Sequence, residues 1–490
     1  MAILTKYVSV TTGNDATGDG SAGSPYKSIE TARADIQSTL SGDAGPHYVI
    51  LSESSGASTI YSASYGMPLF NYDSGNGFEQ ELWLGSYDYG IIVSASEGQD
   101  ITVTPGTPNA TGSWKAALFQ KSAFELFGSG SGIHNITIAG CGAASATDGA
   151  IKGNGRPYDI RTVTINASAS LAGSPRQAPA GGGITGLGDT GGTNAWTIVD
   201  SCRILLTGSN NFRGIDFSHN PQNALINNCL IILSGTTGDM PINAINASNG
   251  TLGTSNRCTA SFCTVLVRHD GATYTGQLGI YAARVENCIV SMSIPPPGDG
   301  LNFPYIQADV ATNNFYGGLD GSSTLLGNGV YRNFAGTSQS LGATDLVYTT
   351  ASVISLFEDP SDNFTNLYAD YTLASTAVVT GAGTAVNYLG LTSADLSGTS
   401  RQDPPDLGCF ELATSSPSKW CAYGSQTYPE FSADFTINSY LNLSSNYKLA
   451  CTGAAAQVPF FLGVHGPPSL RKNQAYLATT SDPSQITGSS

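Results

Sequence analysis

The feature that most constrains this chain is an irregular repeat in its middle. Four segments share one pattern: Ile198-Val199-Asp200-Ser201-Cys202-Arg203-Ile204-Leu205, Leu225-Ile226-Asn227-Asn228-Cys229-Leu230-Ile231-Ile232, Thr259-Ala260-Ser261-Phe262-Cys263-Thr264-Val265-Leu266 and Arg284-Val285-Glu286-Asn287-Cys288-Ile289-Val290-Ser291. Each holds a short strand, a polar kink, a cysteine and a second strand. Successive cysteines lie 27, 34 and 25 residues apart. One solenoid coil of three short strands needs a period of this order, with the variable excess falling in loops. A repeat of this kind cannot bury its apolar face alone, so the coils must stack. The four cysteines then stack inside the tube as small buried hydrophobes, in poor geometry for disulfides.

A second ladder runs through the same coils: Gly149-Ala150-Ile151-Lys152, Gly183-Ile184-Thr185, Gly214-Ile215-Asp216-Phe217, Ala244-Ile245-Asn246-Ala247 and Gly279-Ile280-Tyr281-Ala282. Strand alternation turns the five isoleucines inward. Lys152, Thr185, Asp216, Asn246 and Tyr281 then face outward, one above another at about 4.8 Å per step.

Composition agrees with a turn-rich, all-β chain. Of 490 residues 59 are Gly, and only 11% are charged, against about 25% in ordinary soluble domains. Short β-rich runs broken by Gly, Asn, Asp and Ser recur throughout. The net charge of −16 repels phosphate backbones, so nucleic acid is not an expected partner. Nine cysteines without a CxxC pair or zinc-type spacing read as mostly free, buried thiols made in a reducing cytosol. The apolar stretch in Met1-Ala2-Ile3-Leu4-Thr5-Lys6 is too short for a signal peptide, and no apolar run reaches membrane-spanning length. The expectation is a protein made without a secretion signal and not inserted in a membrane. P-loop, HExxH and GxSxG motifs are absent, and no metal or cofactor is expected.

The chain opens with Lys6-Tyr7-Val8-Ser9-Val10, then Gly13-Asn14-Asp15, Gly18-Asp19-Gly20 and Ser24-Pro25-Tyr26-Lys27-Ser28-Ile29. This reads as a strand, a turn cluster and a helix capped by Ser28, with Ile29, Ala32 and Ile36 on its buried face. The opening resembles that of pectate-lyase-like right-handed parallel β-helix proteins. The Gly-Ile and Asn-Asn-Cys ladders resemble their coil repeat. Asp370-Tyr371-Thr372-Leu373, Gly381-Ala382-Gly383, Asp395-Leu396-Ser397-Gly398, Arg401 and Pro405-Asp406-Leu407-Gly408-Cys409-Phe410-Glu411 resemble their closing segment. The fold expected is therefore all-β, a right-handed parallel β-helix. Residues 1–45 form an N-terminal cap with one short helix, 46–412 the β-helix, and 413–490 a linker and a small C-terminal β-rich module.

The resemblance implies that members acting on polysaccharides use the outward face of the Gly-Ile strand and its loops. Here that face offers Lys152, Thr185, Asp216, Asn246 and Tyr281, with Arg213 and His219 beside Asp216. Glycoside hydrolysis needs two carboxylates about 5–9.5 Å apart. Asp216 is the acidic residue of the ladder, and Asp239 and Asp270 in neighbouring loops are its candidate partners, unless both serve as turn residues. β-Elimination is the less favoured chemistry, since no acidic cluster on the ladder supports a calcium site. His47, His134 and His465 stand alone and read as structural. The resemblance extends to phage tailspikes. The leading expectation is a virion tail protein, assembled in the host cytoplasm, that binds and cuts host surface glycan. It would be a homotrimer and contact other tail or baseplate proteins. A bacterial polysaccharide-degrading enzyme and a purely adhesive β-helix are the alternatives, because fold alone does not fix function.

Overall fold

The computed structural model describes residues 3–40, 46–53, 59–61, 71–73, 78–80, 82–84, 89–97, 99, 101–103, 124–126, 130–139, 149–154, 157–168, 181–187, 196–208, 212–219, 223–235, 242–247, 258–269, 277–292, 305–318, 331–332, 339–348, 353–360, 370–412, 440–444, 447–450, 460–463 and 475–478. Strands this short pair with their equivalents one coil on, and among the described residues they build three parallel sheets. The first sheet begins at Thr5–Val8 and His47–Leu51 and runs through Tyr158–Arg161, Thr197–Asp200, Ala224–Asn227, Thr259–Ser261 and Arg284–Glu286 to Val310–Thr312. The second includes Arg203–Gly208, Leu230–Gly235, Thr264–His269 and Ile289–Met292 and ends at Leu346–Tyr348. The third includes Gly149–Asn154, Gly181–Leu187, Phe212–His219, Ile242–Asn246 and Gln277–Tyr281 and ends at Tyr331–Arg332. From His47–Leu51 to Tyr331–Arg332 the chain visits the three in the same order, which makes a parallel β-helix. Crossovers between parallel strands are right-handed in nearly all proteins.

The polar kink of the repeat is the corner between the first and second sheets. One residue per coil takes the left-handed conformation there: Asn135, Thr162, Ser201, Asn228, Phe262, Asn287 and Asn313, with φ from 51° to 58°. Asn reaches this region at the least cost among residues with a Cβ. The corner N–H groups bond to the next coil, Ser201 N to Asn227 O at 3.0 Å and Asn228 N to Ser261 O at 3.2 Å.

The residue after each corner points into the core. Cys202, Cys229, Cys263 and Cys288 occupy that position, unpaired and fully buried. Their Sγ atoms lie against the carbonyl two residues back, at 3.1 Å for Cys229 and Asn227. Burial pushes the Cys229 and Cys288 thiols well above their ordinary value. One coil on, Asn314 replaces the thiol, accepting from Cys288 N at 3.0 Å and donating to Val285 O at 3.1 Å. A thiol reagent added to native protein is expected to leave these four cysteines unmodified and to reach them all in denaturant. Fast native labelling of all four would refute the ladder.

The second sheet is apolar on both faces. Ile204, Ile231 and Val265 line the tube, while Leu205, Leu230, Ile232, Leu266, Ile289 and Phe315 belong to a separate buried cluster. Val353, Leu356, Phe357, Tyr371, Leu373, Ala377, Val379, Leu407, Cys409 and Phe410 complete that cluster. Among the described residues the last strand of the three sheets is Leu346–Tyr348, and residues 353–360 and 370–412 include a strap over the second sheet's outer face. Each large side chain so buried contributes about 1.5–3 kcal/mol. The strap also follows the corner ladder: Asn313 Nδ2 donates to Thr384 Oγ1 at 2.7 Å, Asn287 Nδ2 to Thr384 O at 2.9 Å, and Asn228 Nδ2 to Ala394 O at 2.7 Å.

The helix Ile29–Thr39 is capped by the Ser28 side chain, which accepts from Thr31 N at 3.1 Å. Ile29, Ala32 and Ile36 pack into the same core as Val8, Val49 and Leu51. Asp15 Oδ1 secures the approach by accepting from Lys27 N and Ser28 N at 2.8 and 2.9 Å. Among the described residues no helix is long and apolar enough to cross a membrane. The chain divides into one compact unit of residues 1–95 and 100–412 and a second of 96–99 and 413–490. In the second unit, Tyr440–Ser444 pairs antiparallel with Tyr447–Ala450, and Phe460–Gly463 with Ala475–Ala478.

Candidate functional site

The third sheet sets a row of side chains in strict register. Glu125 pairs with Lys152, Lys152 with Thr185, Thr185 with Asp216, Asp216 with Asn246, Asn246 with Tyr281, and Tyr281 with Gln307. The row read from sequence is thus one row, and its register continues through Glu125 to Trp83 at one end and through Gln307 to Arg332 at the other. Behind it Ile151, Ile184, Ile215, Ile245 and Ile280 are buried, so the inward half of each strand fixes the outward half.

The row is less open than strand alternation suggests. Lys152, Asn246, Tyr281 and Gln307 are half-buried, but Thr185 is 3% exposed and Asp216 4%. Asp216 also forms an ion pair through Oδ2 with Arg213 Nη1. Asp216 thus faces outward on its strand, as expected, but is nearly covered there. Its carboxylate is desolvated, and Arg213 compensates the charge. His219 lies at the end of the same strand, in register with Leu187 beyond a bulge; its side chain lies outside the described residues. Asp239 and Asp270 lie outside them altogether.

The first sheet carries a second polar group that the sequence reading missed. His134 does not stand alone: its Nε2 lies 3.3 Å from Asp159 Oδ2. Arg161 Nε bonds to Asp159 Oδ1 at 2.5 Å. Along the corner edge, His134, Arg161, Asp200, Asn227, Ser261 and Glu286 stand in register. The available signal was the alternation within Tyr158-Asp159-Ile160-Arg161, which puts both charges on one face. Burial pushes Asp159 up, but the nearby His134 and the hydrogen bond from Arg161 outweigh it and hold it below the ordinary carboxylate value. Burial raises Asp200 against bonds from Asn227 and Ser201.

Burial likewise raises Glu286, against the charge of Arg284, and the Tyr388 hydroxyl of the strap bonds to its Oε1. A carboxyl whose folded pKa is raised contributes stability that is present below its unfolded value and is lost as pH rises through the folded one. Glu286→Gln keeps the acceptor and removes the charge. The variant is expected to unfold like wild type at pH values well below 4.5, the ordinary glutamate value, and to be the more stable of the two at neutral pH. Equal stability across the range, followed by chemical denaturation, would refute this.

No protein-family model matches the sequence, and no curated protein matches it. Among solved structures it is similar to pectate lyase Pel9A, at 14% identity and a TM-score of 0.36, over 84% of this chain and 97% of that one. A likeness so distant leaves the fold to rest on the register of the three sheets and says nothing of activity.

Proposed function

We propose that this protein binds a polysaccharide along the outer face of the third sheet. The observation that carries the reading is the unbroken register from Lys152 to Gln307. It repeats a polar or aromatic group every 4.8 Å or so, close to the advance of successive sugars in an extended glycan. The half-buried Asn246 and Gln307 supply the donors and acceptors that hydroxyls need. Tyr281 supplies a flat face for the apolar side of a sugar ring. Asp216 is the candidate carboxylate for cleavage, with Asp239 or Asp270 as its partner.

The finer reading is a phage tailspike or fibre-like protein acting on host surface glycan, with a homotrimer held by the second unit. Among the described residues, the buried thiols of Cys202, Cys229, Cys263 and Cys288, which form no disulfide, support folding in a reducing cytosol, where virions assemble. Slender solenoids also gain stability by packing side by side.

The test is to assay full-length protein for retention on host surface polysaccharide and for new reducing ends. Tyr281→Ala is expected to weaken binding about tenfold, the loss of a good aromatic contact. Asp216→Asn is expected to abolish cleavage and, because the site is buried, to lower stability as well. Wild-type binding and cleavage in both folded variants would remove the third sheet from the function.

A further inference from the structure

We infer that the strap and the corner edge of the first sheet enclose a site for one hard cation of about calcium's size, held by Asn227 Oδ1, Ser261 Oγ and the Glu286 carboxylate. The three residues stand on consecutive rungs, Asn227 in register with Ser261 and Ser261 with Glu286. Asn227 and Ser261 are 0% exposed and Glu286 is 5% exposed. Two oxygens of this buried group, Asn227 Oδ1 and Ser261 Oγ, have no hydrogen-bond partner among the described residues. Turning the Asn227 amide over does not remedy this. Its Nδ2 donates to Asp200 Oδ1 at 2.7 Å and to Leu391 O at 3.2 Å, and an oxygen in that place would face two acceptors. Buried oxygens left unpaired are costly, so the pair marks a place where something binds.

The strap meets the rungs on either side of Ser261. The Tyr388 hydroxyl bonds to Glu286 Oε1, and Leu391 O takes the bond from Asn227. Between these contacts the strap turns through Leu389 and Gly390, with φ of 54° and 74°. Charge separates a cation from a water molecule as the occupant. Asp200 stands one rung beyond Asn227, so a carboxylate flanks the two oxygens on each side. Burial raises both Asp200 and Glu286, and Arg284, 3.6 Å from Glu286 Oε2, is 46% exposed. A cation compensates the two desolvated charges, and a water does not. Spacing sets the size. Rungs repeat at about 4.8 Å, so a cation midway between oxygens one rung apart sits about 2.4 Å from each. That distance suits Ca²⁺, at about 2.3–2.6 Å, and is long for Mg²⁺, at about 2.0–2.1 Å. Among the described residues no group of three His, Cys, Asp or Glu side chains is placed to hold a metal. This site draws instead on an amide, a hydroxyl and one carboxylate, a set that gives a hard cation modest affinity.

The experiment strips full-length protein with a chelator and follows its urea midpoint as Ca²⁺, Mg²⁺ or Na⁺ is added. A tetraalkylammonium salt holds the ionic strength constant, which removes general screening. The expected result is a saturable rise with Ca²⁺, half complete at about 0.1–1 mM, and a much weaker response to Mg²⁺. Ser261→Ala is expected to abolish that rise. Without added ion the variant should be at least as stable as wild type, because it deletes an unpaired buried hydroxyl. A saturable response to Na⁺ in place of Ca²⁺, also lost in Ser261→Ala, keeps the site and assigns it to the monovalent ion. A Ca²⁺ response that Ser261→Ala retains belongs elsewhere in the chain and overturns the inference. Midpoints indifferent to all three ions overturn it as well and leave water as the occupant. An ion-free Ser261→Ala clearly less stable than wild type would show the hydroxyl to be already paired, with the same consequence.

Discussion

Arg401→Ala is expected to destabilise the protein by about 3–5 kcal/mol, the usual result of removing one partner from a buried ion pair. The side chain of Arg401 is 4% exposed and that of Glu411 is 0% exposed, with Nη1 and Oε2 3.2 Å apart. Arg401 Nη2 also donates to Asn228 Oδ1 at 2.7 Å and to Gly408 O at 3.0 Å. Its guanidinium stands 3.7 Å from the centre of the Phe262 ring. Phe262 holds φ at +51°, a conformation costly for a bulky residue, and the stacked guanidinium helps to hold it there. One side chain thus ties two corner residues to the strap. Alanine would strand Glu411, which accepts from Gln402 N and Asp406 N, as an uncompensated buried charge. Replacing Arg401 and Glu411 together by Met and Leu is expected to cost less than Arg401→Ala alone. Chemical unfolding gives the magnitude, and hydrogen exchange over residues 381–412 locates it. A loss below about 1 kcal/mol, the value of an exposed pair, would mean that the strap is held by its apolar contacts alone.

Gly214→Val is expected to cost about 3 kcal/mol, the upper end for overpacking a well-filled core. A Cβ at this position would lie 2.5 Å from Ala244 O and 2.7 Å from Ile231 Cγ2. The first contact is backbone of the next coil, which cannot turn aside as a side chain can. The second is the inward face of the second sheet. Gly214→Ala places one carbon in the same space and is expected to cost less than valine. Thermal unfolding of both variants checks the order. Equal stability of Gly214→Val and wild type would contradict the stacking of Phe212–His219 on Ile242–Asn246.

The coil was legible in the sequence because each coil repeats the same demand. A left-handed corner favours Asn, as at Asn228 and Asn287, and the next residue turns into the core, as at Cys229 and Cys288. The Gly-Ile row was legible for the same reason, down to the pairing of Asp216 with Asn246. The strap was not foreseen, although a signal existed. Leu230-Ile231-Ile232-Leu233 and Val265-Leu266-Val267 are continuous apolar runs, and a strand buried on both faces reads that way. Strand alternation assigns Asp216 to the outer face correctly, but it carries no information on what covers that face. The pairing of Asp216 with Arg213 required the two side chains to be seen together. His134 and Asp159 sit on neighbouring coils, 25 residues apart in sequence, so no local pattern links them.

The most direct test of the central claim is the structure of the protein with its bound glycan. Sugar rings lying over Thr185, Asp216, Asn246, Tyr281 and Gln307, one or two rungs of the third sheet to each sugar, is the predicted result. A glycan seated on the first sheet or on the second unit, with the third-sheet row unoccupied, would contradict it.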